Sequence, residues 1–248
     1  MKNLKNGLKS RKNEIKISKI LSFSSGIYLM LCFLAPMIIS PDMIPELSGR
    51  ANAIDYANHE SWGNGEHGEG ASLGHDQSQH GGTFAWSELH PIWAFTYAVG
   101  DVNCHQKYER SWEINENQMP VCARDIGILF GFTIGAIFFG FRGFNRWTIR
   151  DTFLTIIPDE KLIPIYRKDN RLMAMIGLII LAIIPTGIDG FTQLMTSYES
   201  VNSVRMVTGL MAGSGLAWLT CSIIAAKAEY FQSAEDVVLP AGAILRIK

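Results

Sequence analysis

The residues best suited to chemistry are the cysteines and the histidine of one polar run, NCHQKYERSWEINENQMPVCARD, which extends from Asn103 to Asp125. Cys104, His105 and Cys122 carry side chains that bind transition metals. Cysteines outside a membrane also commonly form disulfides, and a thiol near a basic residue or a helix N-terminus is reactive. The run therefore predicts a disulfide, a metal site or a reactive thiol, and the sequence leaves the three open.

Each interpretation uses different partners. A Cys104–Cys122 disulfide would close a loop and stabilise the fold by about 3 kcal/mol. A metal site would combine both thiols with His105 and with His90 or Asp125, although the lack of a C-x-x-C pair weakens the zinc signal. A reactive thiol would owe a lowered pKa to the arginine that follows the second cysteine, or to the start of the next helix.

A second polar segment, PTGIDGFTQLMTSYESVNSVR, lies between two apolar blocks. Pro185 and Gly190 predict the end of a helix there. Glu199, Asn202 and Arg205 follow at three-residue steps, which places them on one side of a helical turn. The two polar segments together predict either a pocket whose arginines recognise an anion or a network of structural ion pairs. The pocket candidates are Cys104, His105, Gln106, Arg110, Ser111, Cys122, Arg124, Asp125, Asp189, Thr192, Gln193, Glu199, Asn202 and Arg205.

Four uncharged apolar blocks must position these residues, and they are long enough to cross a bilayer, which takes about 20 helical residues. They predict transmembrane helices over 20–39, 122–141, 172–188 and 206–226. The first block is longer than the apolar core of a signal peptide, so we expect it to be retained. Since lipid leaves only helices as a form for such blocks, the fold class is all-α: a polytopic membrane protein with four transmembrane helices.

The basic residues set the expected orientation. Most of the 22 lysines and arginines lie in the N-terminal segment 1–19, in the connection 142–171 or in the tail 227–248. Because basic residues concentrate in cytoplasmic loops, both termini are expected in the cytoplasm and the protein in the cell membrane. Segment 40–89, the membrane domain 90–226 as far as residue 125, and its turn 189–205 then lie outside.

The segment 40–89 is rich in histidine, glycine and acidic residues and reads as a solvated tether with too few apolar residues for a core. Imidazoles among carboxylates can hold copper or zinc, so the tether is also a metal candidate. The apolar stretch HPIWAFTYAVGD that follows is too short to span, and we expect it in the membrane interface. The histidine candidates are His59, His67, His75, His80, His90 and His105.

Four ordered blocks carry a family resemblance: CHQKYERSW, NQMPVCARDIGILFGF, PTGIDGFTQ and ESVNSVRMVTG. Over about residues 95–215 the chain resembles the membrane-protein family catalogued as domain of unknown function 2085. Members usually read C-A-R-C-T-G in the second block, whereas this chain has Asp125 at the second cysteine of that motif and Ile126 at its threonine. The resemblance implies a polytopic membrane protein and no particular activity.

Three functions remain open. The polar pocket would bind or modify a lipid-like or small anionic ligand, the chain would be an accessory subunit of a larger membrane complex, or its outer face would handle copper or zinc. Whether the protein is an enzyme is undecided, because no phosphate-binding loop, catalytic triad or H-E-x-x-H motif is present. The expected partners are the lipid bilayer and other membrane subunits, and nothing in the sequence indicates nucleic acid.

Overall fold

The structure of the protein is a computed structural model that describes residues 10–49, 52–65 and 76–246. Within these ranges the chain is mainly helical, and its only sheet is a two-stranded antiparallel hairpin. The helices are α1 (Lys12–Ile38), α2 (Pro91–Asn103), α3 (Ala123–Arg142), α4 (Ile149–Leu154), α5 (Asp159–Arg167), α6 (Arg171–Met195) and α7 (Asn202–Ala225). The strands are β1 (Glu113–Ile114) and β2 (Asn117–Gln118).

Four of these helices, α1, α3, α6 and α7, are long and apolar enough to cross a membrane. Each overlaps one of the four predicted spans, so the all-α polytopic fold is confirmed. In α6 only 6% of the apolar window is buried inside the protein, which is the exposure expected of a helix surrounded by lipid. The four long helices are therefore suited to a lipid bilayer.

The helix break predicted at Pro185 and Gly190 is absent from the third span. Helix α6 continues through Pro185 and reaches Met195, so Asp189 lies within the helix rather than at its exit. Proline stops most helices in water because it removes a backbone donor. In membrane helices it is tolerated, because neighbouring groups satisfy the carbonyl that loses its partner.

Two compact units make up the chain. The first unit consists of Met1–Ser25, Ile128–Thr192 and Leu210–Lys248, and the second of Gly26–Gly127 and Gln193–Gly209. In the first unit, α3 and α7 approach closely because a glycine of each helix lies against the backbone of the other: Gly131 against Leu210, and Gly213 against Ile128. A Cβ atom on Gly131 would lie 2.1 Å from Leu210 O, and the Ser214 hydroxyl donates to Gly131 O at 3.2 Å. Small residues at such contacts are typical of packed membrane helices.

The first unit also contains the short helices α4 and α5, against which the C-terminal tail packs. Val237 and Leu239 join Phe153 and Leu162 in one buried apolar cluster. Beside it the buried Asp151 carboxylate accepts hydrogen bonds from charged and hydroxyl groups. Its partners are Thr148 Oγ1 at 2.6 Å, Tyr166 Oη at 2.8 Å and Arg150 Nη2 at 3.0 Å, with Arg171 Nη1 at 3.6 Å.

The second unit has its own core, and part of the predicted tether builds it. Tyr56 and Phe84 are buried together with Tyr97 of α2. The buried Asp101 carboxylate accepts from Tyr56 N at 2.9 Å and from Trp86 Nε1 at 2.9 Å. The expectation of a solvated linker is therefore wrong for the described part of 40–89, because a few aromatic residues suffice to anchor it. Residues 66–75 lie outside the described ranges.

The hairpin β1–β2 closes through a two-residue turn in which Asn115 and Glu116 both have positive φ, 54° and 59°. This is the turn geometry that matches strand twist. It places Gln118, a buried residue, where its amide joins separate segments: Leu47 N donates to Gln118 Oε1 at 2.7 Å and Gln118 Nε2 donates to Gln106 O at 2.7 Å. Gln118 thereby fixes the loop that carries the cysteines.

Candidate functional site

Two cysteines and an aspartate meet in the second unit. Cys104 follows α2, Cys122 immediately precedes α3, and Asp125 lies in the first turn of α3. One metal-ligating atom from each of the three side chains lies within 4.8 Å of the other two. We refer to Cys104, Cys122 and Asp125 as the thiol–carboxylate group. In the part of the chain that the structure describes, it is the one cluster of three such side chains with this spacing.

Hydrogen bonds connect the three members. The Cys122 thiol donates to Asp125 Oδ2 at 3.1 Å, and the Cys122 backbone N–H donates to Cys104 Sγ at 3.1 Å. A second backbone donor, Gln106 N, reaches the same sulfur at 3.4 Å. Two N–H donors on one sulfur favour the thiolate form, which is the form that binds metals.

Burial works against that thiolate. The Cys104 side chain is almost fully buried, at 2% exposure. Its hydrogen bond with the Cys122 thiol, its burial and the negative charge of Asp125 together raise the pKa of Cys104 well above the ordinary value. Cys104 is therefore a protonated thiol at neutral pH unless a cation joins the group, since a cation is what lets closely packed acids ionise together.

Backbone packing holds the two thiols next to each other. A Cβ atom on Gly100 would lie only 2.0 Å from Pro120 O, so the end of α2 sits directly against the chain before Cys122. Gln106 has a left-handed φ of 47°, and its Nε2 donates to Pro120 O at 2.9 Å. Its Oε1 is buried and meets no hydrogen-bond donor among the described residues. The turn at Gln106 thus sets the position of Cys104.

The second cluster of polar side chains is centred on Arg205, which is only 2% exposed. Arg205 Nη1 donates to Glu109 O at 3.0 Å and to Asn202 Oδ1 at 3.1 Å, and Nη2 donates to Gln193 Oε1 at 3.0 Å and to Glu199 Oε2 at 3.1 Å. Both terminal nitrogens therefore have protein acceptors. This guanidinium cross-links the loop at 109 to the start of α7.

Two neighbouring contacts extend the same cross-link. Arg110 Nη2 lies 3.5 Å from Glu199 Oε1, and Asn202 Nδ2 donates to Ser111 O at 2.8 Å. Burial raises the pKa of Glu199, but the charges of Arg110 and Arg205 outweigh it, so the pKa lies below its ordinary value. Glu199 is consequently ionised at neutral pH and shared between two arginines.

The remaining predicted pocket and histidine candidates outside the tether are Asp189, Thr192, Arg124, His90 and His105. Asp189, which is buried, and Thr192 belong to the first unit. Arg124 is half-buried in the first turn of α3. His90 and His105 are exposed and are not members of the thiol–carboxylate group.

Of the tether histidines, two pair with carboxylates. His59 Nε2 lies 3.2 Å from Glu88 Oε1, and His80 Nδ1 lies 3.8 Å from Glu46 Oε2. His67 and His75 lie outside the described residues. The described residues thus give the tether separate His–Glu pairs, and a metal site within it stays a prediction.

Gln118 and Gly100 position the thiols, yet the sequence did not single them out. Gln118 is a polar residue in a two-residue strand, and nothing in its sequence neighbourhood marks it as buried. Glycine is an unfavourable residue in a helix, but at position 100 the absence of a Cβ atom lets the Pro120 carbonyl lie against α2. Both act through contacts distant along the chain, which a local pattern does not contain.

Comparison with known proteins agrees with the membrane fold. The family model described as "Predicted membrane protein (DUF2085)" matches residues 104–219. An uncharacterised protein of Methanocaldococcus jannaschii is 33% identical over 130 residues, covering 51% of this chain and 69% of the relative. The chain belongs to the DUF2085 family. Another uncharacterised relative, from Methanothermobacter thermautotrophicus, is 39% identical over 118 residues, covering 47% of this chain and 83% of its own length.

The matched region of this DUF2085 protein begins at Cys104 and includes the thiol–carboxylate group, the Arg205 cluster and three of the four candidate spans. It excludes the tether 40–89. No solved structure matches the chain. Because the relatives are themselves described only as uncharacterised, the chemistry of the site is the basis for assigning a function.

Proposed function

We propose that this DUF2085 protein is a membrane protein that binds a transition-metal ion of the copper or zinc class at the thiol–carboxylate group. The observation that carries the proposal is the approach of Cys104, Cys122 and Asp125, whose ligand atoms lie within 4.8 Å of one another. Two thiols and a carboxylate make three protein ligands, which leaves a further position open, as in metal sites that exchange or react.

The electrostatics of the group support a cation. Three acidic groups packed together repel one another once ionised, and burial adds to the cost. That cost appears as the raised pKa of Cys104. A metal ion offsets the repulsion and displaces the thiol protons. The backbone donors on Cys104 Sγ supply the outer hydrogen bonds that usually accompany metal thiolates.

The arginine pocket receives less support. Arg205 already donates to four protein acceptors, and Arg110 meets the Glu199 carboxylate. An anionic ligand would have to displace these partners, whereas a metal ion would take the place of the thiol protons of the thiol–carboxylate group. Binding of a lipid-like or small anionic ligand, and a role as accessory subunit, stay predictions.

The direct test is the metal content of the purified protein. The full chain is extracted in mild detergent, stripped with a chelator under reducing conditions, reloaded with Cu(I) or Zn(II) and desalted. We expect about one bound ion per chain, and loss of that ion in the double variant Cys104→Ser, Cys122→Ser. Cys221→Ser is the matched control, because Cys221 is a fully buried thiol of the first unit. Equal metal content in the double variant and the control would end the proposal.

A disulfide between the same cysteines is the competing state, and thiol counting distinguishes it. The structure holds all four cysteines as thiols. Alkylation under denaturing, non-reducing conditions with a chelator present should then add four labels. Two labels, with Cys104 and Cys122 unmodified by peptide mapping, would instead show the predicted disulfide.

We also propose that both termini face the cytoplasm and that the protein lies in the cell membrane. The support is the concentration of basic residues in the segments at the chain ends and between α3 and α6. Reporter fusions to the C-terminus test this, because a phosphatase reporter is active only outside the cytoplasm and a fluorescent reporter folds best inside it. An active phosphatase at the C-terminus would reverse the orientation.

A further inference from the structure

One face of the first turns of α1 carries three lysines. Lys12, Lys16 and Lys19 follow one another at steps of four and three residues, so they lie on the same side of the helix. All three residues are exposed, and we refer to them as the lysine face. Ile20 and Phe23 continue the same side of the helix and are 57% and 66% exposed. The lysine face therefore leads directly into exposed apolar residues of the span.

The opposite side of α1 is fixed against α3 and the loop that follows α3, all within the first unit. Ser18 Oγ donates to Ala136 O at 2.7 Å, and Ile17 belongs to the buried cluster that contains Ala136. One turn earlier, Asn145 N donates to Glu14 Oε1 at 2.8 Å. Because these contacts set the rotation of the helix, the lysine face points away from the first unit.

The lysine face is a concentration of positive charge. Among the residues that the structure describes, no carboxylate forms an ion pair with Lys12, Lys16 or Lys19. Glu14 is the one acidic residue of α1, and it is buried at 1% exposure on the other side of the helix. An anion is therefore the ligand that this face can attract.

The position of the lysines along α1 indicates where that anion lies. The apolar part of α1, from Ile20 to Ile38, is about 28 Å long at 1.5 Å per residue, which matches a hydrocarbon core of about 30 Å. Lys19 therefore lies at the edge of the core, and Lys16 and Lys12 lie about 4.5 and 10.5 Å further along the axis. The headgroup layer on each side of the core is about 5–8 Å thick. Lys16 and Lys19 are thus at the depth of lipid phosphates.

We propose that the lysine face is a docking surface for an anionic phospholipid. Its phosphate lies beside Lys16 and Lys19, and its acyl chains lie against Ile20 and Phe23. Basic residues next to a span attract anionic lipids, and lysine stems cover apolar surface while their ammonium groups remain in the headgroup layer. A zwitterionic lipid carries its own cation, which the lysines repel. This inference goes beyond the metal site and does not depend on it.

Lipid binding to the full chain in a neutral detergent tests the proposal. Phosphatidylglycerol or phosphatidylcholine is titrated, and native mass spectrometry counts the bound lipid. We expect the wild type to prefer phosphatidylglycerol. The triple variant Lys12→Gln, Lys16→Gln, Lys19→Gln should bind phosphatidylglycerol roughly 5- to 30-fold more weakly, since each lysine near the phosphate contributes roughly fivefold and one or two reach it. Its binding of phosphatidylcholine should be unchanged. Arginine at the same three positions should retain the preference.

The matched control is Lys161→Gln, Arg167→Gln, Lys168→Gln, which removes three charges from exposed residues in and directly after α5 of the same unit. This variant should bind phosphatidylglycerol like the wild type. Equal affinity for phosphatidylglycerol in the wild type and the lysine variant would overturn the proposal. An equal loss in the control would overturn it as well, because total charge rather than the lysine face would then attract the lipid. Loss of both lipids from the lysine variant would also refute a site that recognises the phosphate.

Discussion

Substituting Gly131 by alanine is the sharpest test of how α3 and α7 pack in the first unit. The added Cβ would lie 2.1 Å from Leu210 O, with the carbonyl carbon and Cα of Leu210 at 2.8 Å and 2.9 Å. All three atoms are backbone, so no side chain can rotate away. An ordinary carbon–oxygen contact is about 3.3 Å. The two helices must therefore separate locally by about 1 Å.

That separation loses dispersion contacts along the interface and stretches the hydrogen bond from Ser214 Oγ to Gly131 O. Overpacking of this kind costs about 1–3 kcal/mol. For a chain of this size each kcal/mol lowers the melting temperature by about 2–4 °C. Gly131→Ala is therefore expected to lower it by roughly 2–12 °C.

The matched control is Gly177→Ala on α6, where an added Cβ meets nothing within 4 Å. Alanine is the better helix former by up to about 1 kcal/mol, so this variant should be neutral or slightly stabilised. Thermal unfolding in detergent, followed by tryptophan fluorescence, compares the two proteins with the wild type. Equal melting temperatures for Gly131→Ala and Gly177→Ala would refute the close approach of α3 and α7.

Further predictions concern the second unit. The pKa of Cys104 is raised, so protons compete with the metal for this thiol and the affinity for Cu(I) should fall as pH decreases from about 8 to about 6. Competition with a Cu(I) chelator at each pH measures the affinity. An affinity that does not change with pH would mean that no thiol proton is displaced. Glu199 has a lowered pKa, so its stabilising effect is complete above its ordinary value of 4.5 and is lost as pH falls through the lowered value. Glu199→Gln should therefore be less stable than the wild type at neutral pH and should lose less of its stability on acidification, which denaturant unfolding at each pH measures. Asp101→Asn replaces one acceptor oxygen by an amide donor that would face the donors Tyr56 N and Trp86 Nε1. Denaturant unfolding should show that the free energy of unfolding falls by about 1–3 kcal/mol.

The sequence predicts the membrane helices well because one physical requirement decides them. About twenty apolar residues without charge have no alternative to a spanning helix. Helix ends are harder to predict: proline ends most helices in water, but α6 continues through Pro185 inside a membrane segment. Helix ends depend on neighbouring groups that satisfy the backbone, and those groups are not adjacent in sequence.

The composition of segment 40–89 also led to a wrong prediction, that of a solvated tether without a core. The segment is polar on average, yet Tyr56 and Phe84 are buried, and the Asp101 carboxylate accepts a hydrogen bond from the backbone N–H of Tyr56. A handful of well-placed aromatic residues defines that core, and averaging over the segment hides them. Position matters more than composition in a segment of this kind.

The candidate site is partly visible in the sequence. Cys122 and Asp125 are three residues apart at the start of a helix, so their contact can be anticipated. Cys104 joins them only because of the left-handed turn at Gln106 and the approach of Gly100 to Pro120, which no spacing rule predicts.

The packing of the C-terminal tail has a consequence for how the protein is made. Val237 and Leu239 cover the apolar side of α4 and α5, and Arg171 Nη1 donates to Ile244 O at 3.4 Å. These residues follow all four candidate spans in the chain and are therefore synthesised after them. Until they arrive, Phe153 and Tyr166 lack part of their cover, and a chain that stops early keeps them uncovered. A nascent chain released before residues 237–244 therefore leaves apolar side chains of α4 and α5 exposed, where quality-control proteases can recognise them.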